Sequence, residues 1–200
     1  MGNDENLNFF AAGAIIPSQF NRHFMRENDL QGGGFESWVF CPGMLFHAQD
    51  RWWGDRGRRQ KPHEGLDLCL YRDRRNQTHG MEINTRIPVL YDGVAVGIID
   101  DFLGKSIIVE HHVTRGDPMI LYSFYGHTTP GQHLYPGSIV RAGDIIATIA
   151  GAGRSKSGVL PHLHLSLGRA SRVISPDQLT WETLDALDAL TLLDPLTVIG

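Results

Sequence analysis

Cysteine is scarce in this 200-residue chain, which contains Cys41 and Cys69 and no others. A single bridge is then the arithmetical maximum, which excludes a disulfide-stapled scaffold. Long apolar runs are missing too, and nothing approaches the roughly 18 consecutive apolar residues of a membrane-spanning helix. The apolar stretch at residues 9–16 follows Asp4 and Glu5 with no Lys or Arg before it, so it does not read as an export signal. The compartment is not read from this end of the chain. An excess of positive charge is also lacking: the formal net charge of -4 sets up no field favouring nucleic acid or an anionic membrane surface. The cations that exist gather in two runs, Arg56, Arg58, Arg59 and Lys61, then Arg72, Arg74 and Arg75, which read as solvated loops.

What is present suffices for a core. A hydrophobic content of 42% over this length suits one domain with an N-terminal elaboration. Residues 1–55 stand apart as an N-terminal extension. Within it, residues 18–29 form a short helix with Phe20 and Phe24 on one face, Gly32-Gly33-Gly34 makes a joint, and residues 35–40 read as a strand. That strand, with Trp38 in it, is too apolar for a solvated tail, so the extension is expected to pack on the main domain near its cleft.

Residues 56–200 read as mainly β, an antiparallel sheet domain. Leu66, Leu68 and Leu70 alternate with Asp67, Cys69 and Tyr71, and further strand patterns cover residues 94–99, 106–112, 119–125, 144–150 and 164–167. Asp92-Gly93 and Ala142-Gly143-Asp144 are turn signals. Residues 180–193 read as one C-terminal helix, with Thr180 as cap, a stripe of Trp181, Leu184, Leu187 and Leu190, and Asp194-Pro195 as stop.

Ten histidines make accidental patterns common, so each candidate needs a geometric reason. On a strand, His63 and Asp67 of His63-Glu64-Gly65-Leu66-Asp67 share a face, Gly65 leaves room between them, and both side chains suit zinc. The rival is a helical His-Glu zinc motif with Glu64 as general base. An interior Gly65 and the period of two that follows argue against it, and on the strand Glu64 faces away. In Pro161-His162-Leu163-His164 the two histidines point to one face while Leu163 and Leu165 enter the core. Tyr125-Gly126-His127 closes an aromatic-rich strand and brings a third histidine to a cleft rim. Of the others, His111 and His112 satisfy local hydrogen bonds, and His23, His47, His79 and His133 are surface or packing residues. Cys69 shares the face of Asp67 but reads as a buried small hydrophobe.

In order and spacing, His63-x-x-x-Asp67, Tyr125-Gly126-His127 and His162-Leu163-His164 resemble the lysostaphin/LytM-type peptidoglycan zinc metalloendopeptidases. Arg86-Ile87-Pro88-Val89, Ile108-Val109-Glu110-His111, Val140-x-Ala142-Gly143 and Asp194-Pro195-Leu196 extend the resemblance over about residues 60–200. It implies a LytM-type β domain in which His63, Asp67 and His164 hold Zn2+ and His162 and His127 are the catalytic histidines. It further implies peptide cross-links of bacterial peptidoglycan as substrate and a periplasmic or extracellular place of work. The chain departs from the family at Leu160, where a Gly is common, in the length of residues 155–160, and at Ser166, where an acid is frequent. These departures are expected to bear on substrate preference and not on the metal. A catalytically inactive wall-binding relative is the alternative within the same fold. A lipoyl- or biotinyl-type carrier, suggested by the Asp92-Gly93-Val94 and Gly143-Asp144 hairpins, fails because Lys61, Lys105 and Lys156 lack the flanking residues of a modified lysine.

Overall fold

The computed structural model describes residues 15–112, 119–151, 158–184 and 186–200. Most of the 9–16 stretch and residues 155–157 of the 155–160 segment therefore lie outside the described residues. The element order is α1 (Phe20–Glu27), β1 (Ser37–Val39), β2 (Leu66–Leu68), β3 (Leu70–Arg72), β4 (Thr78–Gly80), β5 (Arg86–Pro88), β6 (Gly93–Asp100) and β7 (Lys105–His111). It continues with β8 (Ile120–Pro130), β9 (Ile139–Val140), β10 (Ile145–Ile149), β11 (Leu163–Ala170) and β12 (Leu190–Leu193).

The antiparallel β class expected from the alternation holds. A nine-stranded sheet runs β12-β11-β8-β7-β6-β9, with β2 added on β11 and β10 bridging β8 and β5, while β1-β3-β4 form a small second sheet. The continuous alternation at residues 65–71 is divided between the two: β2 joins the large sheet, β3 the small one, and the switch falls at buried Cys69. Both cysteines are free thiols.

The central strands are buried on both faces. Along β8, Leu121 and Tyr125 enter one apolar cluster, and Tyr122 and Phe124 enter a second on the opposite face. The first cluster also takes Phe20, Phe24 and Phe35 beside Leu66, Leu163 and Leu165, so the N-terminal aromatics and the large sheet share one core. Burying a phenylalanine side chain is worth about 1.5–3 kcal/mol. The second cluster contains Ile174, Leu179 and Leu184 from the segment before β12.

That segment corrects the expected C-terminal helix. Thr180 starts a turn, with Leu184 N–H donating to its carbonyl, but residues 181–184, 186, 188 and 189 are turns and Leu190–Leu193 is a strand. The reason is the edge of β11. Residues Leu167–Ala170 expose unpaired backbone groups that β12 satisfies in register, Leu167 opposite Leu193 and Ala170 opposite Leu190. Satisfying that ladder outweighs a modest local preference for helix.

His111, at the end of β7, is wholly buried, with Nδ1 on the Asp92 carbonyl at 3.0 Å and Nε2 on Ser123 Oγ at 2.7 Å. Burial pushes its pKa down to about 4. A folded-state value below the unfolded one means the unfolded chain binds the extra proton between about pH 6.5 and 4, so stability is retained above that window and lost as pH falls through it. Urea melts of chelated protein should lose up to about 2–3 kcal/mol from this group between pH 7 and 4.5. His111→Gln should show a shallower pH dependence, and an unchanged one would remove His111 as its source.

Candidate active site

The register of β2, β11 and β8 assembles the site. His164 on β11 lies opposite Asp67 on β2 along one edge and opposite Gly126 on β8 along the other. Directly opposed residues share a face, so the pairing alone brings His164 and Asp67 into contact. His63 precedes β2 and is not part of the strand, contrary to the simple strand reading. Its position is fixed by backbone bonds to the 47–48 segment, His63 N–H to the Ala48 carbonyl and His47 N–H to the His63 carbonyl. No helical turn spans residues 63–67, which removes the helical zinc-motif alternative.

Three atoms able to bind a metal ion converge. His164 Nδ1 is 2.8 Å from Asp67 Oδ1, His63 Nε2 is 3.2 Å from the same oxygen, and the two nitrogens are 3.1 Å apart. Hydrogen-bond partners assign the tautomers. His63 Nδ1 lies 2.9 Å from the Leu45 carbonyl, which can only accept, so the hydrogen sits on Nδ1 and Nε2 presents a lone pair. Ser166 Oγ lies 3.0 Å from His164 Nε2 and can accept its hydrogen, the tautomer in which Nδ1 of that ring presents a lone pair as well. Two imidazole lone pairs and a carboxylate oxygen within about 3 Å repel one another until a cation lies among them. The donor set, two imidazoles and a carboxylate, fits zinc and leaves a position for water.

Asp67 is buried; burial opposes its ionisation, but His162 and His63 beside it and, with the hydrogen on Nδ1 when no metal is bound, the hydrogen bond from His164 hold it well below the usual carboxylate range. Its second oxygen, Oδ2, accepts from the Trp52 indole N–H at 2.7 Å and lies 3.7 Å from the Arg59 guanidinium.

Two further histidines face the cluster. His162 donates Nδ1–H to the Leu160 carbonyl at 2.8 Å, which leaves Nε2 free of hydrogen and 3.8 Å from Asp67 Oδ1. Burial drives its pKa down to about 4, against the opposing pull of Asp67, so the ring is neutral near pH 7. His127 faces it with ring centroids 4.7 Å apart. The β7–β8 register shifts between Lys105 and Ile107, placing one extra residue on β8, and His127 there has φ 63°. This bulge re-aims the side chain and frees its backbone N–H from the ladder. That N–H donates to Asp101 Oδ2 at 2.8 Å, and the ring Nδ1 lies 3.2 Å from Asp101 Oδ1.

The cleft has a volume of about 450 Å³ and is walled by Trp53, Arg59, Phe102, Trp181 and the site histidines. Several residues sit differently from the sequence reading. Glu64, expected to face away, lines the cleft wall without joining the ligand cluster. Gly65 does not leave space for substrate: a Cβ there would meet the Leu165 carbonyl and Ser166 Oγ at 2.5 Å, so glycine admits the β11 backbone instead. Ser166, expected beside the cleft, lies 3.0 Å from His164 Nε2 and so also touches the His63/Asp67/His164 cluster. Arg59 belongs to the site and not to a solvated loop. Trp181, read as part of a helix stripe, stacks edge-on to His164 at 5.0 Å and donates its N–H to Ser106 Oγ at 3.0 Å. Cys69 stays out of the cluster, its thiol pushed up to about 12 by burial. Trp52, Arg59 and Asp101 had no local signal, since Trp52 and Arg59 reach the site through a hairpin and Asp101 through the β8 bulge.

No family model and no curated protein matches the chain. Among solved structures it is similar to lysostaphin in solution, at 22% identity and TM-score 0.43 over 68% of this chain. That alignment covers 42% of lysostaphin's length. The catalytic domain of lysostaphin from Staphylococcus simulans aligns at 19% identity and TM-score 0.41, over 82% of this chain and 87% of the domain. A putative glycyl-glycine endopeptidase LytM from Ruminococcus gnavus aligns at 22% identity and TM-score 0.41, over 68% of this chain and 45% of its own. These are members of the family that the sequence motifs resemble. At such identities and TM-scores the likenesses carry no chemistry over, which rests on the residues themselves.

Asp101 accepts from Leu103 N, Gly104 N, Ser106 Oγ and both His127 groups. Burial opposes its ionisation, yet the bonds from His127 and Ser106 hold its pKa well below the usual range. Asp101→Asn should lower stability by about 1–3 kcal/mol, because an amide cannot accept all of these hydrogens. Imidazole nitrogen resonances should also show His127 losing its Nδ1–H form. A variant with the tautomer of the parent and equal stability would rule out this support.

Proposed function

We propose that the chain is a zinc-dependent endopeptidase that hydrolyses peptide cross-links of bacterial peptidoglycan. The observation that carries this reading is the convergence of His63 Nε2, Asp67 Oδ1 and His164 Nδ1, all within 4.8 Å of one another, beneath an open cleft. Zinc held there would supply Lewis acidity toward a water molecule and the scissile carbonyl. His162, neutral and with Nε2 bare, accepts the proton from the attacking water and returns one to the leaving amine. His127, fixed by Asp101, stands across from it to share proton delivery or steady the developing oxyanion. Hydrolysis of a sugar linkage fits less well: it usually needs two carboxylates across the bond, and at the centre of the cluster Asp67 faces the two imidazoles while Asp101 is committed to His127.

Residues 1–55 are proposed as an N-terminal extension packing on the catalytic domain of residues 56–200, which works in the periplasm or outside the cell. Among the described residues no helix is long and apolar enough to cross a membrane. The complete set of ligand groups favours the enzyme over an inactive wall-binding relative.

Digestion of purified peptidoglycan should release new amino groups without new reducing ends, stop with a chelator and resume with zinc. His63→Ala, Asp67→Ala and His164→Ala should each lower bound zinc. His162→Ala and His127→Ala should keep zinc and lose turnover by about 10²–10⁴-fold. Glu64→Gln should retain most turnover; loss there with an active His162→Ala would transfer the base role to Glu64. Reducing ends without amines, or activity indifferent to chelation, would overturn the reading.

A further inference from the structure

A hairpin ahead of the site reaches into it. Arg51 N–H donates to the Gly57 carbonyl, Arg59 N–H donates to the Gln49 carbonyl, and Asp50 and Arg58 form a β-bridge between them. Its first turn carries Trp52 and Trp53, its return limb Arg59. Arg59 is fastened to this scaffold by bonds to the Gly43 and Asp50 carbonyls at 3.1 and 3.3 Å, and its guanidinium stacks on the Trp53 ring at 4.7 Å. Its side chain is 13% exposed, so the charge is spent locally and not displayed to solvent.

Two atoms of this hairpin address one atom of the ligand cluster. Trp52 Nε1–H donates to Asp67 Oδ2 at 2.7 Å, and Arg59 Nη2 lies 3.7 Å from that oxygen. The other oxygen, Oδ1, is the one that faces His63 and His164. The Trp52 ring meanwhile lies edge-on to His162 at 5.2 Å. A carboxylate free to rotate could present either oxygen or both to a metal. Here one is occupied by a charge-assisted bond, so the group is presented through Oδ1 in one orientation. Outer partners of this kind typically set metal affinity by 10–100-fold.

We propose that Trp52, seconded by Arg59, is a positioning residue for the metal site, locking Asp67 so that a single oxygen faces the ion and the remaining coordination space stays open. This rests on the zinc reading above. It gives the 49–59 hairpin a role in metal retention that its sequence does not announce.

The test uses the full chain. Zinc affinity is measured by competition with a calibrated chelator, and melting temperature is measured with the metal removed. Trp52→Phe deletes the N–H but keeps a ring beside His162. It should weaken zinc binding about 10–100-fold while the metal-free melting temperature matches the parent's. Arg59→Lys should weaken zinc in the same direction by less. Parent-like zinc affinity in Trp52→Phe overturns the proposal, as does a loss fully matched by metal-free destabilisation. If that variant does not fold, the unmodified protein decides. Its Trp52 indole N–H resonance should move on zinc addition while that of Trp38, bonded to Asn21 at 2.8 Å, stays still, and an unmoved Trp52 signal overturns the proposal. A parent protein that binds no zinc removes the functional reading and this inference together. Zinc lost in His164→Ala but fully kept in Trp52→Phe removes this inference alone.

Discussion

The buried carboxylate of Asp67 is the constraint around which the rest is arranged. A lone charge in a protein interior is costly, and it is tolerated when partners surround it. Here one oxygen faces two imidazole nitrogens and the other an indole N–H with a guanidinium behind it. Each oxygen is thus engaged from its own side. The pairing that brings His164 opposite Asp67 must therefore be held in register, because a slip of one residue would turn His164 into the core and a leucine into the cleft. Leu163 and Leu165, fully buried on the other face, penalise that slip.

The second arrangement is a local defect with a use. A regular β8 would direct residues 125–128 alternately to the two apolar clusters. The extra residue at the bulge turns His127 toward His162, and Asp101 collects both the orphaned N–H and the ring nitrogen. Trp181 closes the same network through Ser106, whose hydroxyl donates to Asp101. The segment expected as a helix thus serves the cleft as a turn.

The residues before the large sheet act in two places. Phe20, Phe24 and Phe35 fill the core beneath it, and the 49–59 hairpin meets the ligand cluster above it.

Much of the architecture was legible in residue order because its physics is local. Period-two alternation marks strands whose faces differ in solvent contact, and β6, β7, β8, β10 and β11 lie where that pattern placed them, with shifted ends. His63, Asp67, His127, His162 and His164 stood out because imidazoles and a carboxylate at short spacings have few bland explanations together. Other features were decided by partners far along the chain. Residues 190–193 became a strand because β11 offered an unpaired edge. Gly65 is small because Leu165 and Ser166 press against it. Trp52, Arg59 and Asp101 joined the site through a hairpin and a bulge, in contacts whose partners are set by the fold and not by adjacency in sequence. Periodicity and ligand chemistry are properties of neighbouring residues, which the sequence by itself determined. Which backbone groups remain unpaired, and which side chains then meet, depends on the closed sheet, and that only the tertiary structure decided.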